Sequence, residues 1–175
     1  MKAPNKRKLE TMTENIKIRT IEKSELELAL NIYNSNKEFL IHHLGKECVD
    51  EEFLINEIDE MLAHGFTSNI VSIEDETVGI IDYLLNDEGY VYLSLLMLSR
   101  ENQKKGLGKK VYSSFENMVR NYGANTIRID VVDDYENNVI PFWKKMGFET
   151  KRHDELTWGD KKSKVSVMKK DLQSR

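Results

Sequence analysis

Residues 90–98, Tyr-Val-Tyr-Leu-Ser-Leu-Leu-Met-Leu, are apolar almost without a break. After Ser99-Arg100-Glu101-Asn102 they give way to Gln103-Lys104-Lys105-Gly106-Leu107-Gly108. A strand that is apolar in both side-chain directions is covered on both faces, which places it inside a sheet. Beyond the glycines, Leu107, Val111, Phe115, Met118 and Tyr122 recur at steps of four, four, three and four, marking one face of a helix that Gly123 ends. Ile127, Ile129 and Val131 then alternate as a strand. Strand, glycine turn, helix and strand in that order predict a crossover joining two parallel strands, and so an α/β fold.

The same junction is suited to binding an anion. First-turn N–H groups of a helix lack intrahelical partners, and the helix dipole adds partial positive charge there. Gly106 and Gly108 remove side chains that would block a diphosphate, and Lys104, Lys105 and Lys109 surround the spot with positive charge. The plain alternative is a tight turn before a solvated basic helix. Val111 stands where a dinucleotide fingerprint has its third glycine, and no Gly-Lys-Ser or Gly-Lys-Thr ending makes a P-loop.

Around this centre, Ile16, Ile18 and Ile21 predict a first strand. Ser24 and Glu27 predict a capping box before a helix carrying Leu26, Leu30 and Tyr33. A second helix is expected from Asp50 to Gly65 with Leu54, Ile58, Met61 and Leu62 on one face, which leaves 37–49 as a loop. Residues 67–98 read as a three-strand meander turning at Glu74-Asp75-Glu76 and Asn86-Asp87-Glu88-Gly89. A short helix ends at Gly147, and 148–158 with 164–168 form a terminal hairpin around Gly159-Asp160.

Composition removes several classes of function. A chain of 175 residues suits one domain, here 15–175, preceded by a mobile basic tail over 1–14 within which Met12 offers an alternative start. The net charge of −4 argues against phosphate-backbone binding, so nucleic acid is not an expected partner. No apolar run reaches the roughly 20 residues of a membrane span, and the N-terminus has no apolar core for a signal peptide. The single Cys48 excludes an internal disulfide and fits a reducing, cytoplasmic setting. Four scattered histidines give no metal-ligand spacing, so no metal is expected.

The run Leu96-Met97-Leu98, its connector and Gln103-Lys104-Lys105-Gly106-Leu107-Gly108 resemble the signature of the GNAT N-acetyltransferases, Gln/Arg-x-x-Gly-x-Gly/Ala after a strand. Phe142-Trp143-Lys144-Lys145-Met146-Gly147-Phe148 resembles that family's later aromatic element. The resemblance implies the GNAT fold, a mixed sheet of about six or seven strands flanked by about four helices. It also implies acetyl-CoA as cofactor and attack of an acceptor amine on the thioester in a ternary complex. The acceptor is expected to be a primary amine of a small molecule. A non-catalytic coenzyme A-binding module and a protein or peptide N-acetyltransferase remain the alternatives, and a second copy of the chain is a candidate partner.

Carried onto this sequence, the resemblance places the pantetheine arm along Met97 and Leu98. It gives the Leu98 N–H the role of polarising the carbonyl. Trp143 holds the position where many relatives have a tyrosine acid, and it reads either as a wall of the cofactor channel or as a core aromatic. Tyr135 and Tyr92 are the substitute acids. Ser94 holds the usual base position and would need a water relay. Asp82, between Ile81 and Tyr83, is either an outward strand residue or a proton acceptor with raised pKa. Asn138 is the expected cap of the helix containing Pro141, with Asn137 facing cofactor. The acceptor pocket is expected at Phe39, His42, His43, Glu47 and the Trp158 region. Adjacent loop histidines also read simply as solvated side chains, and Asp50, Glu51, Glu52, Glu57, Asp59 and Glu60 read either as an attraction for a cationic amine or, more simply, as complements to a helix dipole.

Overall fold

The computed structural model describes residues 15–173, so the expected basic tail over 1–14 lies outside the described residues. Seven strands form one sheet in the order β1-β2-β3-β4-β5-β7-β6: β1 (Ile16–Thr20), β2 (Thr67–Ile73), β3 (Glu76–Leu85), β4 (Tyr90–Leu98), β5 (Thr126–Val132), β6 (Glu149–Trp158) and β7 (Lys161–Asp171). The helices are α1 (Leu26–Ser35), α2 (Lys37–Leu44), α3 (Glu51–Ala63), α4 (Leu107–Asn121) and α5 (Ile140–Lys145). The meander and the terminal hairpin form as expected, with β7 inserted between β5 and β6.

Three expectations near the first helices need correction. The capping interaction lies two residues earlier than Ser24 and Glu27: the Glu25 carboxylate accepts the Glu22 N–H at 2.9 Å, which starts a 3-10 turn at Lys23–Glu25. Residues 37–44, expected as loop, are α2. Buried Asn36 causes the break before it, because its Nδ2 donates to the Ile32 carbonyl at 2.8 Å while its own N–H bonds Tyr33. With that carbonyl taken, α1 stops, and a new helix begins as Leu40 N–H bonds Asn36 O. Gly45 at φ 68° closes α2. Leu62 and Tyr122, placed by periodicity on buried faces, are 66% and 71% exposed near the ends of α3 and α4, where the sheet no longer covers them.

β4 and β5 are the parallel pair, and their ladder covers three pairs, Tyr90–Thr126, Val91–Ile127 and Tyr92–Arg128. Beyond Tyr92 the strands diverge. The register of β4 against β3 shifts between Asp82 and Tyr83, pairing Asp82 with Leu95 and Tyr83 with Leu93. Ser94 is therefore the extra, exposed residue of a β-bulge, and bulges bend and twist the strand that carries them. The split starts where the bulge sits.

The core follows the split. On the face covered by α4 and α5, one cluster runs across both halves of the sheet through Val71, Ile81, Leu93, Phe115, Ile129 and Met168. On the other face, Ala29, Tyr33, Leu54, Ile70, Leu95 and Met97 form a cluster under α1–α3, whereas Val132, Val165 and Val167 form a separate one with Tyr135 and Leu156. The opening between β4 and β5 thus faces the α1–α3 side.

Candidate active site

At the mouth of the split the chain makes a sharp turn into α4. Lys104 has φ 59° and Gly106 φ 77°, left-handed backbone that glycine adopts without penalty. A Cβ built on Gly106 meets nothing within 4 Å among the described residues, so this side of the turn is open. α4 has Gly106 as N-cap, no side-chain cap and no acidic residue in its first turn, and Lys104, Lys105 and Lys109 are exposed beside it. Its first N–H groups and dipole are left for an external anion, which fits a pyrophosphate. At Gly108 a Cβ would stand in ordinary contact with the Phe142 ring, 3.6 Å from Cε2, so this position opens α4 beside α5. Phe142, the first residue of the aromatic element read from the sequence, is the α5 side chain beside that position.

Gln103 does not face the cradle. Its amide donates to the Leu98 carbonyl at 3.0 Å and to Asn36 Oδ1, while Asn36 Nδ2 donates to the same carbonyl at 3.0 Å. Arg100 N–H adds a bond to Ser35 Oγ at 3.0 Å. The loop is thereby tied to the α1–α2 break, an arrangement the sequence does not announce. Opposite, Gly79 has no side chain because a Cβ would lie 2.5 Å from the Met97 carbonyl.

Ser99 N–H bonds Val78 O, so antiparallel alternation turns the N–H groups of Leu98 and Leu96 away from β3 and toward the split. Met97 and Leu98 bury their side chains and offer the split only backbone. Leu96 pairs with Ile81, beside Asp82, whereas Leu98 lies three residues past Leu95, about 10 Å further along the strand.

Asp82 is 5% exposed, buried on the α1–α3 side rather than outward. Its Oδ1 has no hydrogen-bond partner among the described residues. Burial pushes its pKa up to about 7, the Ser68 hydroxyl opposing and the Glu57 charge adding to the rise. Fully buried Tyr33 of α1 is held well above the usual tyrosine range, first by burial and then by the charges of Asp82 and Glu57. Burial also raises Glu57 of α3, against the hydrogen bond it accepts from Trp158 Nε1 at 2.9 Å. The Glu57 charge therefore acts on Asp82, and both charges act on Tyr33, on the α1–α3 side of the sheet. The sequence singles out Asp82 and Glu57 separately, and helix docking brings them and Tyr33 to the same side of the sheet.

The expected acceptor residues form a wall beside them. Phe39 stacks on His43 with centroids 3.8 Å apart, and Trp158 stands edge-on to both. His43 is half-buried rather than solvated, and burial lowers its pKa to about 4. His42 stacks on Tyr135 with centroids 3.9 Å apart, carrying α2 across to the loop after β5. Glu47 is exposed, outside this wall.

The remaining expected residues divide. Asn138 Nδ2 donates to Tyr135 O at 2.9 Å and its Oδ1 accepts the Ile140 N–H at 3.1 Å, so it caps α5 by side chain and holds the Tyr135 loop, although the N-cap position itself is Val139. Asn137 is exposed. The Tyr92 hydroxyl donates to Asp130 Oδ2 at 2.8 Å at the closed end of the split, and burial followed by Asp130 raises its pKa. Tyr135, half-buried at the open end, is raised by burial, Glu38 and Asp134. Trp143 is 7% exposed and packs edge-on against Tyr112, Phe142 and Phe148, which makes it a core aromatic rather than a channel wall.

Residues 29–148 match the model of the GNAT acetyltransferase family. An acetyltransferase from Thermus thermophilus superposes with a TM-score of 0.71 at 16% identity, covering 90% of this chain and 97% of that one. Spermidine N-acetyltransferase from Vibrio cholerae, in complex with CoA and spermine, gives 0.69 at 13% identity over 89% and 95%. The Escherichia coli ribosomal-protein-S18-alanine N-acetyltransferase gives 0.66 at 12% over 92% and 96%. At such identities the likeness is one of fold. No curated protein matches the chain.

Proposed function

The chain belongs to the GNAT acetyltransferase family, and on that premise we propose that it is a cytoplasmic enzyme transferring the acetyl group of acetyl-CoA to a primary amine of a small molecule, by direct attack in a ternary complex. The observation that carries the reading is the split between β4 and β5, with an anion cradle at its mouth and a buried carboxyl beside its bulge. Acetyl-CoA supplies the thioester. The α4 N-terminus with Lys104, Lys105 and Lys109 holds the pyrophosphate, and the backbone of β4 holds the pantetheine arm. The Leu96 N–H, nearer to Asp82 than that of Leu98, polarises the carbonyl, a donor that needs no reorganisation during reaction.

Asp82 takes the proton of the acceptor ammonium. A carboxylate with pKa near 7 is poised for that transfer at neutral pH, where an ordinary one is too weak a base. Ser94, exposed on the bulge, positions a water between the amine and Asp82. Tyr135 protonates the departing thiolate, because the Tyr92 hydroxyl is tied to Asp130 at the closed end. The test is thiol release from acetyl-CoA in the presence of alkylamines, amino acids, aminoglycosides and peptides. Turnover with small amines above the rate of hydrolysis is expected; coenzyme A binding without turnover on any of them would contradict the reading.

A further inference from the structure

One residue separates α1 from α2, in a stretch with no proline or glycine: Asn36, at φ −106° and ψ 56°. A helix end needs only a local partner, as at Gly45, whose left-handed backbone closes α2 on Ile41 O. Asn36 reaches further. It is buried, and besides Ile32 O its Nδ2 donates to Leu98 O at 3.0 Å. Its Oδ1 accepts from Gln103 Nε2, which itself donates to Leu98 O at 3.0 Å. The two amides and that carbonyl form a closed ring of hydrogen bonds. Turning either amide over would set like atoms against each other, so each fixes the orientation of the other. The peptide joining Leu98 to Ser99 is thereby held on both edges, since its N–H donates to Val78 O at 2.9 Å. Arg100 N–H on Ser35 Oγ at 3.0 Å adds a second tie between the turn and the helix break.

Resting on the acetyltransferase reading above, we infer that Asn36 and Gln103 are positioning residues, whose ring lets the cofactor turn set the acceptor wall. Gly106 follows Gln103 by three residues, and Phe39 follows Asn36 by three, with His43 stacked on it one turn further along α2. α2 has eight residues, too few for a stable isolated helix, and its first hydrogen bond runs from Leu40 N–H to Asn36 O at 3.0 Å. When the ring opens, the start of α2 loses its fixed point and the turn loses its brace. A diphosphate that orders the turn therefore favours the closed ring and steadies α2. The coupling is reciprocal, so the closed ring tightens cofactor binding by the same factor. Cofactor and acceptor are brought into register by one shared element rather than by two independent sites.

Coenzyme A binding, followed by calorimetry and by hydrogen exchange, tests this without an acceptor. In wild type, saturating coenzyme A is expected to slow exchange of the α2 amides, Leu40 to Gly45, about ten-fold, within the roughly 5–150-fold usual for coupled sites. Asn36→Ala empties a buried position and tests folding as much as coupling, so Gln103, half-buried in the turn, carries the experiment. Gln103→Leu should bind coenzyme A about ten-fold more weakly, the same factor by reciprocity. Once saturated, it should show slowed exchange at the start of α4 and none at α2. Gln103→Arg, which restores N–H donors, should recover both properties. Asn102→Ala removes a bond to Ser99 Oγ in the same turn but no member of the ring, and should behave as wild type. Slowing of α2 that persists in Gln103→Leu marks direct cofactor contact and overturns the inference, as does a wild-type α2 that coenzyme A leaves unchanged. Both results leave the acetyltransferase reading intact. Failure of the wild type to bind coenzyme A overturns the inference and that reading together.

Discussion

Asp82→Asn is expected to lower kcat/KM for acetyl transfer about a thousand-fold at pH 8, since a positioned general base contributes roughly 10²–10⁴. Coenzyme A affinity should be little changed, because the cradle follows Leu98, about 10 Å along β4 from the Leu95 that pairs with Asp82. The pH profile adds a second signature. Asp82 must be ionised to accept a proton, so wild-type kcat/KM rises with pH through about 7 and levels above it. The asparagine variant should lose that limb. Stability moves the opposite way to activity. The folded-state pKa lies above that of an unfolded aspartate, so the folded protein binds the extra proton between about pH 4 and pH 7. Asp82 therefore favours folding below that window, and the contribution is lost as pH rises through it. At pH 8 the asparagine variant, with no buried charge, should melt no lower than wild type. A variant that loses both activity and stability at pH 8 would mark Asp82 as a structural residue.

Gly106→Glu should weaken acetyl-CoA binding about a hundred-fold. Any non-glycine residue at φ 77° costs about 1 kcal/mol in the left-handed region. A carboxylate there adds repulsion of about 1–4 kcal/mol against a nearby phosphate, depending on local screening. Only the second effect acts on binding directly, so Gly106→Ala is the control: it carries the backbone cost without the charge and should reduce affinity by less than about ten-fold. Because a Cβ at 106 has open space, neither variant should disturb the core. Equal affinity for acetyl-CoA in folded wild type and Gly106→Glu would remove the pyrophosphate from this turn.

Much of the fold was legible because the patterns that specify it are local. The apolar run of β4, the glycine turn and the periodicity of α4 lie within 33 consecutive residues, from 90 to 122, and they sufficed to place a sheet and a crossover. The α1–α2 break was not legible, since an asparagine ends a helix only when its amide captures the Ile32 carbonyl, and that depends on a tie to Leu98 62 residues away. The same holds for the bulge, which leaves Ser94 exposed within an apolar run and is set by how β4 registers on β3. Gln103 and Trp143 carried family signals for cofactor contact, yet one braces the loop against Asn36 and the other fills the core. Tyr33 and Glu57 sit on different helices, and only the docking of α1 and α3 on the sheet brings the Glu57 charge to bear on Asp82 and both charges on Tyr33. A sequence displays which residues are chemically capable; which of them meet is decided by packing.

A crystal structure of the protein with coenzyme A tests most directly whether acetyl transfer takes place in the gap between β4 and β5. The expected result is the pyrophosphate on the N–H groups that open α4, the pantetheine arm along Leu96–Leu98, and the sulfur in the split level with the Ser94 bulge, on the side of Asp82. A pyrophosphate bound away from Gly106, or a sulfur on the α4 face of the sheet, would contradict it.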